Sequence, residues 1–97
     1  MAEYRKQYFD QCLAAIAGEL ESLEEEHPDW PDDPVQAAAL VAKKAGKLLA
    51  ASSDLDREDA DDRNRILKEA IQTGAMALRF MLTTNHGLRY EMEKVKW

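Results

Sequence analysis

All three prolines of this 97-residue chain fall inside one eight-residue stretch, HPDWPDDP at 27–34. Proline locks φ, lacks the amide N–H and breaks the interior of helices and central strands. The stretch is therefore one fixed break, and long uninterrupted elements are possible on either side. Those flanks are rich in alanine and leucine and show no sustained two-residue alternation, which favours helix over strand. The expected class is all-α.

Before the break, Tyr8, Cys12, Ala15, Ile16, Leu20 and Leu23 recur at steps of three and four, predicting a first helix from about Glu3 to Glu26. It ends on Glu24, Glu25 and Glu26, acids where the helix dipole prefers cations. Surface frustration is the simpler explanation, and a nearby cation the other. After the break, Asp33 suits an N-cap and Pro34 the first helical position. Val35, Ala38, Ala42, Ala45 and Leu49 form an apolar stripe, widened by Val41 and Leu48, on a second helix that fades at Ser52 and Ser53. Six acids occupy residues 54–62. A calcium loop needs glycine sixth and glutamate twelfth, and Asp59 and Arg65 stand there instead, so the segment reads as a solvated turn feeding the next helix N-terminus. A third helix is expected from about Glu58 to Thr83, with Asn85 and Gly87 as C-cap candidates. Leu88, Met92 and Val95 place a short amphipathic fourth helix in the tail.

The middle of helix three, AIQTGAMALRFML, is apolar nearly all round and needs cover on most sides. A chain of this length buries a modest core. A bundle of three longer helices plus a short one, assembled as a homodimer or higher oligomer through helix three, is the expected architecture, in a single domain over 1–97. The net charge of −6 argues against nucleic-acid and anionic-membrane partners. The N-terminus lacks a signal-peptide run and no apolar stretch reaches membrane-spanning length, so a cytoplasmic location is expected. The single cysteine, Cys12, allows no internal disulfide and reads as a small buried residue.

Lys43, Lys44 and Lys47 fall within an arc of about 100° on helix two, nearly opposite its apolar stripe. The plain reading is the wet face of an amphipathic helix. The frame around them adds another. HPDWPDDPVQAAALVAKKAGKL, followed some twenty residues later by KEAIQTGAMALRFM, resembles the MazG-like all-α nucleoside triphosphate pyrophosphohydrolases, nearest their small phage- and cassette-borne members, over about residues 27–82. The resemblance implies a helix-two E-x-x-E pair and a helix-three E-x-x-D pair that hold magnesium against substrate phosphates, giving a nucleoside monophosphate and pyrophosphate. Carried over, the metal-ligand positions are Lys44, Lys47, Glu69 and Gln72. Glu69 alone keeps its carboxylate, and Gln72 offers a carbonyl oxygen. An ammonium has no lone pair for a metal, and at about 4 Å and an effective dielectric of about 20 it repels a divalent ion by roughly 8 kcal/mol.

Two roles for the lysines follow as expectations. One ammonium pairs with Glu69 and replaces the cation between helices, or Lys43, Lys44 and Lys47 form an anion pocket, with Arg79 as a further phosphate contact. For Arg79, pairing with a carboxylate of another helix or subunit is the alternative. Trp30 could stack on a base or plug the end of the bundle. His27 and His86 receive no role, and Met76 and Met81 read as core fillers. No serine–histidine–aspartate order, glycine-rich phosphate loop or cysteine–histidine metal spacing occurs. Three functions remain open: a catalytically impaired pyrophosphohydrolase fold, in effect a pseudoenzyme, acting by nucleotide or phosphate binding or by assembly with no cofactor; an active magnesium-dependent (d)NTP pyrophosphohydrolase using Glu69; and a helical protein-interaction module of phage or mobile-element origin.

Overall fold

The computed structural model describes residues 3–55 and 58–88, with side chains over 5–55 and 58–83. It is all-helical among the described residues: α1 spans Glu3–Glu26, α2 spans Pro34–Ser53 and α3 spans Ala60–Leu88. The expected tail helix lies outside the described residues, apart from its first residue, Leu88, which belongs to α3. No described helix is long and apolar enough to cross a membrane.

The ends of the elements follow local chemistry. Asp33 is extended at φ −74°, ψ 123°, and one carboxylate oxygen accepts from the Val35 amide at 3.3 Å, with Pro34 opening the helix. Asp54 closes α2 by donating its amide to the Ala50 carbonyl at 3.2 Å. For α3 the cap is Asp59, whose side chain accepts from the Asp61 amide at 2.8 Å. That moves the start from the expected Glu58 to Ala60 and puts Asp61 and Asp62 in the first turn, where the helix dipole favours acids. At its other end α3 does not stop at Thr83. It continues through Asn85 and Gly87 to Leu88, so neither residue is a terminator.

The longest helix, α3, is the central element. It packs on both α1 and α2, while α1 and α2 nowhere bring Cα atoms within 8 Å of each other among the described residues. The core is correspondingly small. Leu20 and Leu23 of α1 meet Ala75 and Met76 of α3, and Ile16, Trp30, Leu40, Val41 and Leu78 close around them. Each large apolar side chain buried there contributes about 1.5–3 kcal/mol. Gly74 sets the α1–α3 approach, because a Cβ at that position would stand 3.0 Å from Ile16 Cδ1. Met76 fills the core as expected, whereas Met81 is exposed.

Two expected apolar faces sit differently in the structure. On α1 the stripe is buried only in its C-terminal half: Tyr8 is 62% exposed, and Cys12 is exposed rather than buried, because α3 meets α1 only from about Ala15 onward. On α2 the stripe Val35, Ala38, Ala42, Ala45 and Leu49 is exposed along its whole length. The side turned to α3 instead carries Ala37, Leu40, Val41, Lys44, Leu48 and Ala51, all buried or half-buried. An alanine-rich helix offers two apolar stripes, and the one that includes a lysine is the one that packs. The four-carbon lysine stem allows this, since it can lie along apolar surface while its charge reaches a polar atom.

Candidate functional site

Because α1 and α2 lean on α3 without close approach of their backbones, a cleft of about 450 Å³ opens between them. Leu23, Leu40 and Met76 supply its apolar surface. Lys43, Lys44 and Lys47 come from α2, Glu19 and Glu26 from α1, and Asp29 and Trp30 from the loop, while Gln72 and Arg79 reach in from α3. One wall is basic and the other acidic. Four cations against three carboxylates make the cleft far less negative than a chain carrying −6.

The three lysines do not share one environment. Lys43 and Lys47 are exposed at the mouth of the cleft. Lys44 is half-buried, and its ammonium donates to Gln72 Oε1 at 2.9 Å across the α2–α3 pair. The wet-face reading therefore holds for two of the three. A fixed ammonium does stand between the helices, but its partner is Gln72 and not Glu69. Among the described residues no cation lies within 4.0 Å of the Glu69 carboxylate, and its Oε2 is buried without a hydrogen-bond partner. Glu69 contributes a backbone contact instead, its carbonyl accepting from the Thr73 hydroxyl at 2.7 Å.

These residues do not fit magnesium. A hard divalent cation needs several oxygen ligands. Of the two oxygen donors at the family positions, Gln72 is bound to an ammonium. Glu69 belongs to no cluster of ligands: among the described residues no three His, Cys, Asp or Glu side chains converge.

Arg79 explains the acidic end of α1. It is only 6% exposed, and its fork donates to backbone carbonyls: Nη2 to His27 at 2.8 Å and to Pro28 at 3.4 Å, and Nη1 to Leu23 at 3.4 Å. These carbonyls lie in the last turn of α1 and just beyond it, at the negative end of the helix dipole, and the Leu23 carbonyl also accepts from the His27 amide at 2.8 Å. A cation does sit at this helix end, and within the chain its partners are these carbonyls rather than a carboxylate. The guanidinium carbon also lies 4.7 Å from the centroid of the Trp30 ring, a cation–π contact. Trp30 is half-buried against the core, closing the end of the bundle, and its Nε1 is buried without an acceptor among the described residues. Arg79 thus joins α3, the end of α1 and the proline-rich loop.

Of the residues singled out in the sequence, Lys43, Lys44, Lys47, Gln72, Arg79 and Trp30 line this cleft, and Glu69 is not among its lining residues. Sequence reasoning missed the acidic wall, Glu19, Glu26 and Asp29. It also missed the capping role of Arg79, although a lone arginine in an apolar helix and an acid-ended helix with no basic last turn were both visible signals. His27 lines the cleft, accepts from Arg79 through its carbonyl and donates its amide to the Leu23 carbonyl, and the His86 side chain lies outside the described ones. The chain matches no family model, no curated protein and no solved structure, so the reading of the cleft rests on its own side chains.

Proposed function

We propose that this protein is a MazG-like helical module, acting in the cytoplasm, that holds phosphate-bearing anions such as nucleotides in its basic cleft without hydrolysing them. The observation that carries the reading is the Lys44–Gln72 hydrogen bond, which sets a permanent positive charge between α2 and α3 where the resemblance puts a metal ion. The ammonium can donate three hydrogen bonds and spends one on Gln72, leaving two for an anion's oxygens. Lys43 and Lys47 flank it at the mouth. Trp30 lies farther in, with an indole N–H that an acceptor would satisfy, though one approach to its ring is taken by Arg79. Arg79 itself serves the α1 terminus first.

The test has two arms. Incubation with Mg²⁺ or Mn²⁺ and a panel of dNTPs is expected to release no pyrophosphate. Calorimetry with the same nucleotides in EDTA is expected to show binding that weakens in Lys44→Ala and Lys47→Ala. Turnover with either metal, or no nucleotide heat at all, sinks the proposal. One observation favours a second reading, a protein-assembly module of phage or mobile-element type: large apolar side chains stand exposed, among them Val35 at 75% and Leu49 at 69%.

A further inference from the structure

We infer that the cleft takes a dipolar guest: a small soluble phosphate ester that also carries a protonated amine, its phosphate on the lysines of α2 and its ammonium on Glu19 of α1. The inference rests on the reading of the lysine wall as a phosphate site and adds the opposite wall to it.

Both walls are built by helical spacing. Glu19, Leu23 and Glu26 recur at steps of four and three on α1, and Leu40, Lys43 and Lys47 at steps of three and four on α2, so each helix turns one face to the cleft. The third helix sets their depth. It runs the same way as α1, with Ile16 against Gly74 and the Leu23 carbonyl against Arg79. Gln72, which holds Lys44, stands seven residues before Arg79, which holds the end of α1. Seven residues are about 10 Å of helix. Glu19 lies equally far before Glu26, beside the clamped His27 carbonyl. Glu19 and the Lys44 ammonium therefore stand at about the same depth on opposite sides of the cleft.

These charges do not meet. Among the described residues no ion pair within 4.0 Å joins the two walls, and half-buried Glu19 has no hydrogen-bond partner. A carboxylate drawn partly out of water without a partner is costly. Arg79 is committed to the carbonyls of α1 and to Trp30. That leaves three ammonium groups against Glu19, Glu26 and Asp29, so the free charges of the cleft cancel. A guest that is only an anion satisfies one wall and is repelled by the other. A guest bearing both signs satisfies both with charge-assisted hydrogen bonds. Glu26 and Asp29 are exposed to water, which makes Glu19 the carboxylate with most to gain. The apolar side chains of Leu23, Leu40 and Met76 suit a short hydrocarbon spacer between the two charges.

Calorimetry on the full chain, in EDTA at neutral pH, compares butyl and hexyl phosphate with aminobutyl and aminohexyl phosphate. At least one amine-bearing ester is expected to bind about tenfold tighter than its parent, and acetylating its amine is expected to abolish the difference. Glu19→Gln is expected to remove the same advantage while the plain alkyl phosphate binds as before or more tightly, because a repelling charge has gone. Should that variant lose its helicity, the acetylated ester on the wild type decides instead. Equal affinity of the amine-bearing and parent esters overturns the inference and leaves the phosphate reading standing. So does an advantage that survives Glu19→Gln in a helical protein. If no alkyl phosphate, with or without an amine, binds while dNTPs still do, the inference alone falls; if dNTPs fail as well, the phosphate reading falls with it. Sedimentation with phosphatidylethanolamine vesicles is expected to leave the protein in the supernatant. Co-sedimentation would assign the same chemistry to a lipid headgroup and overturn the soluble guest.

Discussion

Removing Arg79 is expected to loosen the end of the bundle out of proportion to one side chain. The 2.8 Å bond to the His27 carbonyl is charge-assisted and contributes about 1.5–3 kcal/mol. The two bonds at 3.4 Å sit at the edge of useful geometry and add little. Stacking of the guanidinium on Trp30 adds about 0.5–2 kcal/mol. Arg79→Ala should therefore cost about 3 kcal/mol, a large part of the roughly 5–15 kcal/mol available to a domain of this size. With a urea slope of about 1.5 kcal/mol/M, that moves the unfolding midpoint down by about 2 M. The assay is urea denaturation followed by fluorescence in a Trp97→Phe background, so that Trp30 reports its own surroundings. Its emission should shift to the red in the folded variant as the indole loses its cover. Arg79→Lys keeps the charge but not the fork and should recover less than half of the loss. A change within about 0.5 kcal/mol for alanine, or full recovery with lysine, would show that the guanidinium does not hold this corner together.

Three other outcomes follow from the geometry. Lys44→Glu combined with Lys47→Glu removes two cations and supplies two carboxylates near Glu69 and Gln72, so calorimetry with Mn²⁺ should show binding that the wild type lacks; no heat in the double variant counts against the positions assigned to the metal. Gly74→Val should destabilise by about 1–3 kcal/mol, because its side chain enters the space of Ile16, measurable as a lower urea midpoint. Gly18→Ala meets nothing within 4 Å and sits in mid-helix, so it should stabilise by about 0.5–1 kcal/mol, a rise of several degrees in Tm; an unchanged or lower Tm would mean that this face of α1 is not open.

The helix count among the described residues and the first two helices were legible because their signals are local. The proline cluster, the Asp33 cap and the run of stepping apolar residues depend on neighbours a few positions away. The start of α3 slipped by two residues for a local reason as well: several acids in 54–62 were eligible caps, and the backbone turn selected Asp59. The end of α3 was misplaced because a glycine near a helix end permits a stop without requiring one. The packing face of α2 was not legible. Its alanine-rich sequence fits either of two stripes, and the choice falls to long-range partners on α3. The same holds for Arg79, whose carbonyl partners lie more than fifty residues away in sequence. The Lys44–Gln72 pairing was not legible either, because it depends on how the two helices are rotated.

Since α1 and α2 rest on a shared third helix and bring no Cα atoms within 8 Å of each other among the described residues, only the side chains of the small core close the gap between the walls of the cleft. Its width follows from how firmly the loop corner is clamped at one end. A guest entering from the open end can spread the two helices like the arms of a tuning fork, bending them about α3 against no more resistance than that small core supplies. Fit along the arms is then governed by charge, positive on one and negative on the other, while bulk is discriminated only near the clamp.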